Sequence, residues 1–265
     1  MQSLICILNC INFRNNKREG DLLEQNKIEK LKEILRSSDS IVFFGGAGVS
    51  TESGIPDFRS KDGLYKQKYK YDPEYMLSKD CLDKMPEEFW EFYRDKILID
   101  HVYPNHAHKS LVKLERDGKL KAIVTQNIDN LHEMAGSEKV YHIHGTIMTN
   151  HCMECKKGYL LEDIKKSDGI PMCQCGGMVR PDVVLYGEKL PEEDWNKSLY
   201  VISQADTLII AGTSLSVFPA ANLIDYFYGP NLIVINKEGT NRDQWADLVI
   251  HGNVSDILQK AVLIQ

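Results

Sequence analysis

The feature that most constrains this chain is a recurrence. Short apolar runs each stop at small or polar residues, and stretches with helical patterning lie between most of them. The runs are 41–44 before Gly45-Gly46-Ala47-Gly48, 122–124 before Thr125-Gln126-Asn127, 140–143 before His144-Gly145, 208–211 before Gly212-Thr213-Ser214, and 232–235 before Asn236. Runs this short, bounded by turn residues, read as buried strands. Helical patterning covers 105–116, 192–203 and 220–227, and Ile28, Leu31, Ile34 and Leu35 share one helical face. Alternating strands and helices imply right-handed crossovers and a parallel sheet with helices on both faces, an α/β fold of Rossmann-like type. Ligands of such sheets sit beyond the carboxyl ends of the strands. Here nearly every strand end carries residues that a nucleotide site would use.

The rhythm breaks over 147–181, which is rich in Cys and Gly and has no long apolar run. That stretch is expected to be a small inserted module, completed by 57–80, with 26–146 and 182–265 forming the nucleotide-binding domain. Cys152-Met153-Glu154-Cys155 and Cys173-Gln174-Cys175 offer four thiolates in two close pairs. Four soft ligands predict one structural zinc ion in a closed tetrahedral site of zinc-ribbon type, with no position left for water. The second pair is C-x-C instead of the commoner C-x-x-C, a looser but workable spacing. Cys6, Cys10 and Cys81 are left over as ordinary thiols.

A net charge of −6 argues against nucleic acid as the partner. The apolar stretch 4–13 is short, interrupted by Asn9 and Asn12, and lacks a basic region before it, so neither a membrane span nor a secretion signal is expected. A cytoplasmic monomer is the expectation. Residues 1–25 are expected to be a disordered or non-native extension, with Leu22 or Leu23 near the true start on one reading.

Gly46-Ala47-Gly48 after an apolar strand suits close approach of backbone amides to a pyrophosphate. The usual dinucleotide fingerprint, however, wants a third glycine where Thr51 stands and an acidic residue after a second strand. Both are missing, because after Gly54 the chain enters a polar, aromatic stretch as far as Asp80. That argues against a hydride-transferring dehydrogenase.

These segments together resemble the sirtuin family. Gly46-Ala47-Gly48-Val49-Ser50-Thr51 with Ser53-Gly54-Ile55-Pro56-Asp57-Phe58-Arg59 is similar to its cofactor loop. Thr125-Gln126-Asn127-Ile128-Asp129, His144-Gly145, Gly212-Thr213-Ser214 and Pro219-Ala220-Ala221 follow in the family's order. The resemblance runs from about Asn26 to the C-terminus and implies an NAD-consuming lysine deacylase, most simply a deacetylase of acetyl-lysine proteins. The acyl oxygen would attack the nicotinamide ribose, nicotinamide would leave, and His144 would act as general base on a ribose hydroxyl, yielding free lysine and O-acyl-ADP-ribose. His142, two residues earlier, is the competing histidine. Asn127 and Asp129, with the Ile128 backbone, would hold ribose and carboxamide, and Gln126 a ribose hydroxyl. Phe58 would exclude water and Arg59 contact phosphate. Thr213 and Ser214 would contact phosphate or ribose, and Asn236 the adenosine ribose. Val254 would meet adenine through its backbone, with core packing an equally good reading of its side chain.

The resemblance further implies that the segment from Arg180 to Glu188 pairs with the substrate peptide as an added strand. Val184, Tyr186, Gly187 and Glu188 would line the tunnel or groove, and Val183 and Leu185 could equally be plain core. Members that prefer acidic acyl groups carry Tyr-x-x-Arg where this chain has Tyr93-Arg94-Asp95-Lys96. Lys96 lacks the bidentate fork that suits a carboxylate, so an uncharged acyl group is expected. A mono-ADP-ribosyltransferase or ADP-ribose-binding protein, and a zinc-stabilised interaction module, are the alternatives.

Overall fold

The structure, a computed structural model, describes residues 22–58, 63–66 and 69–264. Helix α1 spans 22–37, followed by β1 (Ile41–Gly45) and two successive 3-10 turns, Ala47–Val49 and Thr51–Ser53. Next come α2 (Pro73–Met76), α3 (Lys79–Lys84), α4 (Pro86–Lys96), α5 (His106–Arg116), β2 (Leu120–Thr125), α6 (Leu131–Ala135) and β3 (Val140–His142). The middle of the chain forms β4 (Gly145–Cys152), β5 (Gly158–Leu160), α7 (Leu161–Lys165) and β6 (Val179–Val183). The last part holds α8 (Glu192–Ser203), β7 (Thr207–Ala211), a 3-10 helix (Ala220–Tyr226), β8 (Asn231–Asn236), β9 (Leu248–His251) and α9 (Val254–Leu258).

The large sheet has six strands in the order β3-β2-β1-β7-β8-β9, and every pairing is parallel. Strand side chains alternate between two cores, as a period of two requires. Ile41, Phe43, Ile123, Ile209 and Ile233 face α1, α5 and α9. Val42, Phe44, Val124, Ile210 and Val234 face α8 and the 3-10 helix. The strand order reverses direction between β1 and β7, and that switch point is where such sheets open a crevice. A sixth strand, β9, goes beyond the five apolar runs: it has only 4 residues at the sheet edge. The 220–227 stretch is helical but in 3-10 form, as Ala220–Tyr226.

A second sheet, β5-β4-β6, is antiparallel and lies within 145–183. Its core reaches well beyond 57–80, because Phe89, Trp90, Phe92 and Tyr93 of α4 pack with Cys152, Ile164, Val179 and Val183. The segment completing the small layer therefore continues through Leu98, since α4 is apolar on more than one face and has no other core to enter.

The expected extension of 1–25 also needs correction at its end. Residues 22–25 already belong to α1, and Glu24 pairs with Lys260 at 3.1 Å. Leu22 and Leu23 are exposed there, so they add nothing to the apolar stripe that marked the helix from Asn26. Residues 1–21 lie outside the described ones.

Candidate active site

At the switch point the chain closes a cleft of roughly 420 Å³ against the carboxyl ends of the strands. Its floor is two backbones in contact. Gly48 donates its N–H to Gly212 O at 2.8 Å, and Gly46 donates to Ala211 O at 3.1 Å. A Cβ on Gly48 would lie 2.7 Å from Gly212 Cα, and Gly212 has φ of +61°, so side chains are excluded on both segments at this crossing. The result is a bare backbone cradle at the mouth of the crevice, the shape a dinucleotide pyrophosphate needs.

Side chains from neighbouring strand ends are tied around that cradle. Gln126 Nε2 donates to Thr213 Oγ1 at 2.9 Å. Asn236 clamps Thr213 from the other side, accepting from its N–H at 3.0 Å and donating to its carbonyl at 3.1 Å. Asn127 Nδ2 donates to Ser50 Oγ at 3.1 Å, and Ser50 Oγ donates to Asp129 Oδ2 at 2.9 Å. Leu131 N–H donates to Asp129 Oδ1 at 3.0 Å. Burial pushes the Asp129 carboxyl upward, and the bonds from Leu131 and Ser50 pull it back.

His144 stands just beyond β3. Its Nδ1 lies 3.0 Å from Gln126 O, and a carbonyl can only accept, so Nδ1 carries the hydrogen and Nε2 keeps its lone pair when the ring is neutral. Burial holds this imidazole below the ordinary histidine value, partly offset by the Gln126 carbonyl. The main chain fixes it as well, because Val184 N–H donates to His144 O at 2.9 Å. Gly145 follows at φ +74°, where a Cβ would sit 2.0 Å from Asp182 O, so only glycine lets β4 leave so close to β6. His142 behaves differently: it binds Glu133, which raises it although burial alone would lower it, and it does not line the cleft.

The structure gathers Gly46, Ala47, Gly48, Thr51, Phe58, Gln126, Asn127, Ile128, His144, Gly212, Thr213, Ser214, Asn236 and Val254 along one cleft. Val184, Tyr186, Gly187 and Glu188 form part of its other wall. Asp129 is near but behind the lining, reaching it through Ser50 and Asn127. Arg59 lies outside the described residues. Val254 is 3% exposed and packs into the core while also bordering the cleft. Val183 and Leu185 are buried core residues that also border the cleft. Glu188 has its carboxylate committed, to Arg180 through both oxygens and to Leu185 N–H at 2.9 Å. Sequence reasoning gave no role to Ser50, Tyr65, Val217 or Lys237; Ser50 stood inside a quoted motif, whereas the others had no distinguishing signal.

Tyr93 is buried in the small core, and Arg94 donates to carbonyls of Gly169 and Ser167. The Lys96 ammonium lies 3.1 Å from Asp95 and 5.3 Å from the centre of the Tyr69 ring. None of the three lines the cleft.

The four cysteines expected to bind metal meet in the small layer. Cys152 Sγ and Cys175 Sγ are 3.5 Å apart, Cys155 Sγ and Cys173 Sγ 3.6 Å, and all four lie within 4.8 Å of one another. Zinc–sulfur bonds of about 2.3 Å give a tetrahedral edge of about 3.8 Å, so the donor set fits zinc. The C-x-C spacing works because a turn follows it: Gly176 N–H donates to Cys173 O, and Gly176 has φ of +86°.

A family model described as the Sir2 family matches residues 46–219. An NAD-dependent protein deacetylase of Clostridium acetobutylicum is 54% identical over 245 residues, covering 91% of this chain and 100% of the relative. The corresponding protein of Clostridium perfringens is 52% identical, covering 89% of this chain and 99% of the relative. Among solved structures, one of a Sir2 enzyme described for mechanism and regulation superposes with a TM-score of 0.83 at 40% identity, covering 91% of this chain and 98% of that one. A Sir2 complex with a deacetylated peptide and 3′-O-acetyl-ADP-ribose has a TM-score of 0.82 at 36% identity, covering 88% and 96%.

Proposed function

The chain belongs to the Sir2 family, and from that premise we propose that it is an NAD-dependent protein-lysine deacetylase releasing nicotinamide, O-acetyl-ADP-ribose and free lysine. The observation that carries the reading is convergence. The bare glycine cradle, the Gln126-Asn127-Ile128 strand end and the His144 ring share one cleft with the substrate-side segment from Val184 to Glu188. When bound, NAD supplies a ribosyl carbon that the acetyl oxygen can capture as nicotinamide departs.

The residues divide the work. Gly46, Ala47, Gly48, Thr51, Thr213 and Ser214 receive the phosphates and neighbouring ribose. Asn236 and Val254 serve the adenosine end. Gln126, Asn127 and the Ile128 backbone hold the nicotinamide ribose and carboxamide, and Asp129 acts on them through Ser50. Phe58 keeps water from the reacting carbon, and Arg59 contacts phosphate. His144 accepts a proton on Nε2 from a ribose hydroxyl, its Nδ1–H being held by the Gln126 carbonyl. Val184, Tyr186 and Gly187 shape the acyl-lysine path. Glu188 supports that path from behind, through Arg180.

Cys152, Cys155, Cys173 and Cys175 would hold one zinc ion whose role is structural, because four thiolates leave no open position. Residues 147–181 with 57–98 form the smaller unit, and 22–56, 99–146 and 182–264 the nucleotide-binding one. A thiolate metal centre is at home in a reducing compartment, which supports a cytoplasmic location. The enzyme works as a monomer on acetyl-lysine proteins, without nucleic acid or membrane partners. Among the described residues no helix is long and apolar enough to cross a membrane.

The test is a panel of acyl-lysine peptides with and without NAD. Release of nicotinamide that requires the acetylated peptide, with O-acetyl-ADP-ribose as product, is expected. Transfer of ADP-ribose to a protein acceptor without deacetylation would overturn the reading.

A further inference from the structure

Tyr65 and Tyr186 meet hydroxyl to hydroxyl across the cleft, although 121 positions separate them in sequence. Each belongs to a different wall. Tyr65 is on the cofactor-loop side, where its N–H donates to Phe58 O at 2.9 Å and its ring meets the Phe58 ring edge-on with centroids 5.6 Å apart. Tyr186 is on the substrate side and is pinned by its own main chain. Its N–H donates to Leu77 O at 3.0 Å, and its carbonyl accepts from Lys79 N–H at 3.0 Å. Ser78 bridges to the same residue in parallel pairing. One tyrosine is thus attached to a loop that carries Phe58, and the other is a fixed post. Both line the cleft.

We propose that this hydroxyl pair is a brace that holds the Phe58–Tyr65 pair in place for NAD, using the anchored Tyr186 as its fixed point. The proposal rests on the reading of the cleft as an NAD and acyl-peptide site. It makes both tyrosines positioning residues, since neither hydroxyl is assigned to the reacting atoms. Its consequence is specific: a residue on the peptide wall sets the affinity for the nucleotide. Without the brace, part of the NAD binding energy goes into holding the Phe58–Tyr65 pair in place.

Tyr65→Phe and Tyr186→Phe keep the rings and remove only the oxygens. Calorimetric titration with NAD, in the absence of peptide, reads the effect directly. Each single variant is expected to weaken NAD binding by a similar factor, roughly three- to tenfold, the scale of one partly exposed hydrogen bond. The double variant is expected to be no weaker than either single, because the second substitution removes a bond already lost. Melting temperatures stay at the wild-type value, because both variants keep the ring and its packing. Multiplying effects in the double variant, an unchanged NAD affinity in Tyr186→Phe, or early melting of either single would each overturn the brace. Wild-type protein that binds NAD and deacetylates while the variants behave additively sinks the brace alone. Wild-type protein that does not bind NAD sinks the functional reading along with it.

Discussion

The Nδ1 atom of His144 lies 3.0 Å from the main-chain oxygen of Gln126, so one strand end fixes which nitrogen of the next strand's histidine is free. The carbonyl cannot donate, so the proton sits on Nδ1 and Nε2 is free to accept one. Because burial also lowers this imidazole, the neutral form dominates at neutral pH.

His144→Ala is therefore expected to lower turnover by about two to four orders of magnitude, the usual scale for a lost general base. The pH profile carries the sign: the base works deprotonated, so activity falls on the acid side, with an inflection below the ordinary value of 6.5. His142→Ala, by contrast, is expected to keep at least about a tenth of wild-type turnover, since His142 does not line the cleft. Steady-state rates from pH 5 to 9 check both. A dead His142→Ala enzyme that still folds would move the base to the other histidine.

Asp129 acts one step removed. Its carboxylate holds the Ser50 hydroxyl, which in turn accepts from the Asn127 amide. Asp129→Ala is expected to cost roughly ten- to a hundredfold in kcat/KM for NAD, the range for losing a buried hydrogen bond to a charged group. Asp129→Asn, which keeps an acceptor oxygen, falls between that variant and wild type. Equal losses in the two variants would show that the charge itself reaches the substrate.

The linear parts of this site were legible because each sits at a strand end, where chain direction alone aims residues at one crevice. Five of the large sheet's strands and all four metal-binding cysteines stood out for similar local reasons, a short apolar run or a close thiol pair. What stayed hidden is contact between distant segments. Nothing local tells that Ser50 joins Asn127 to Asp129, that Asn236 spends its amide on Thr213, or that Glu188 folds back onto Arg180. The same holds for α4, whose aromatic faces carry no strand or turn signal yet complete the small core.

The metal centre should matter to folding and not to chemistry. Its sulfurs form a closed set within 4.8 Å, so no ligand position is open to a substrate. Purified protein is expected to hold one zinc per chain by atomic absorption. Cys173→Ser should lose it and melt lower by about 10 °C or more, given how strongly structural zinc contributes to folding. During extraction of the metal, loss of activity and loss of native circular dichroism should share one time course. Activity vanishing while the fold persists would assign zinc a catalytic part.

Acyl preference follows from where the cations are. The Lys96 ammonium is paired with Asp95 beside the Tyr69 ring, and Tyr93 is closed inside the small core. Among the described residues lining the cleft, Lys237 is the only lysine or arginine, and it follows Asn236 at the adenosine end. A carboxylate carried into the acyl path would meet no cation among these described residues, a cost of several kcal/mol. Acetyl-lysine peptide is thus expected to be turned over at least about tenfold faster than succinyl-lysine peptide. Faster desuccinylation in the same competition assay would overturn this and point to Arg59 as the missing cation.

Behind the site, His108 and His132 are buried with ring centroids 4.8 Å apart, and neither nitrogen of His132 has a hydrogen-bond partner among the described residues. Burial lowers His108 to about 4 despite Glu133 nearby, and lowers His132 well below 6.5, with His108 and His142 adding to the effect. Between those folded values and the ordinary 6.5 the unfolded chain binds more protons, so stability is complete above about pH 6.5 and is lost as pH falls. For His108 the interval down to about 4 corresponds to roughly 3 kcal/mol. His142, raised by Glu133 against its burial, contributes in the opposite sense, favouring the fold at lower pH. Urea midpoints should therefore drop between pH 7 and pH 4.5. His132→Phe keeps a ring against Phe43 but cannot take a proton, so its midpoint should drop less over the same interval. An unchanged acid slope in that variant would mean that water or movement reaches the His132 ring in the folded protein.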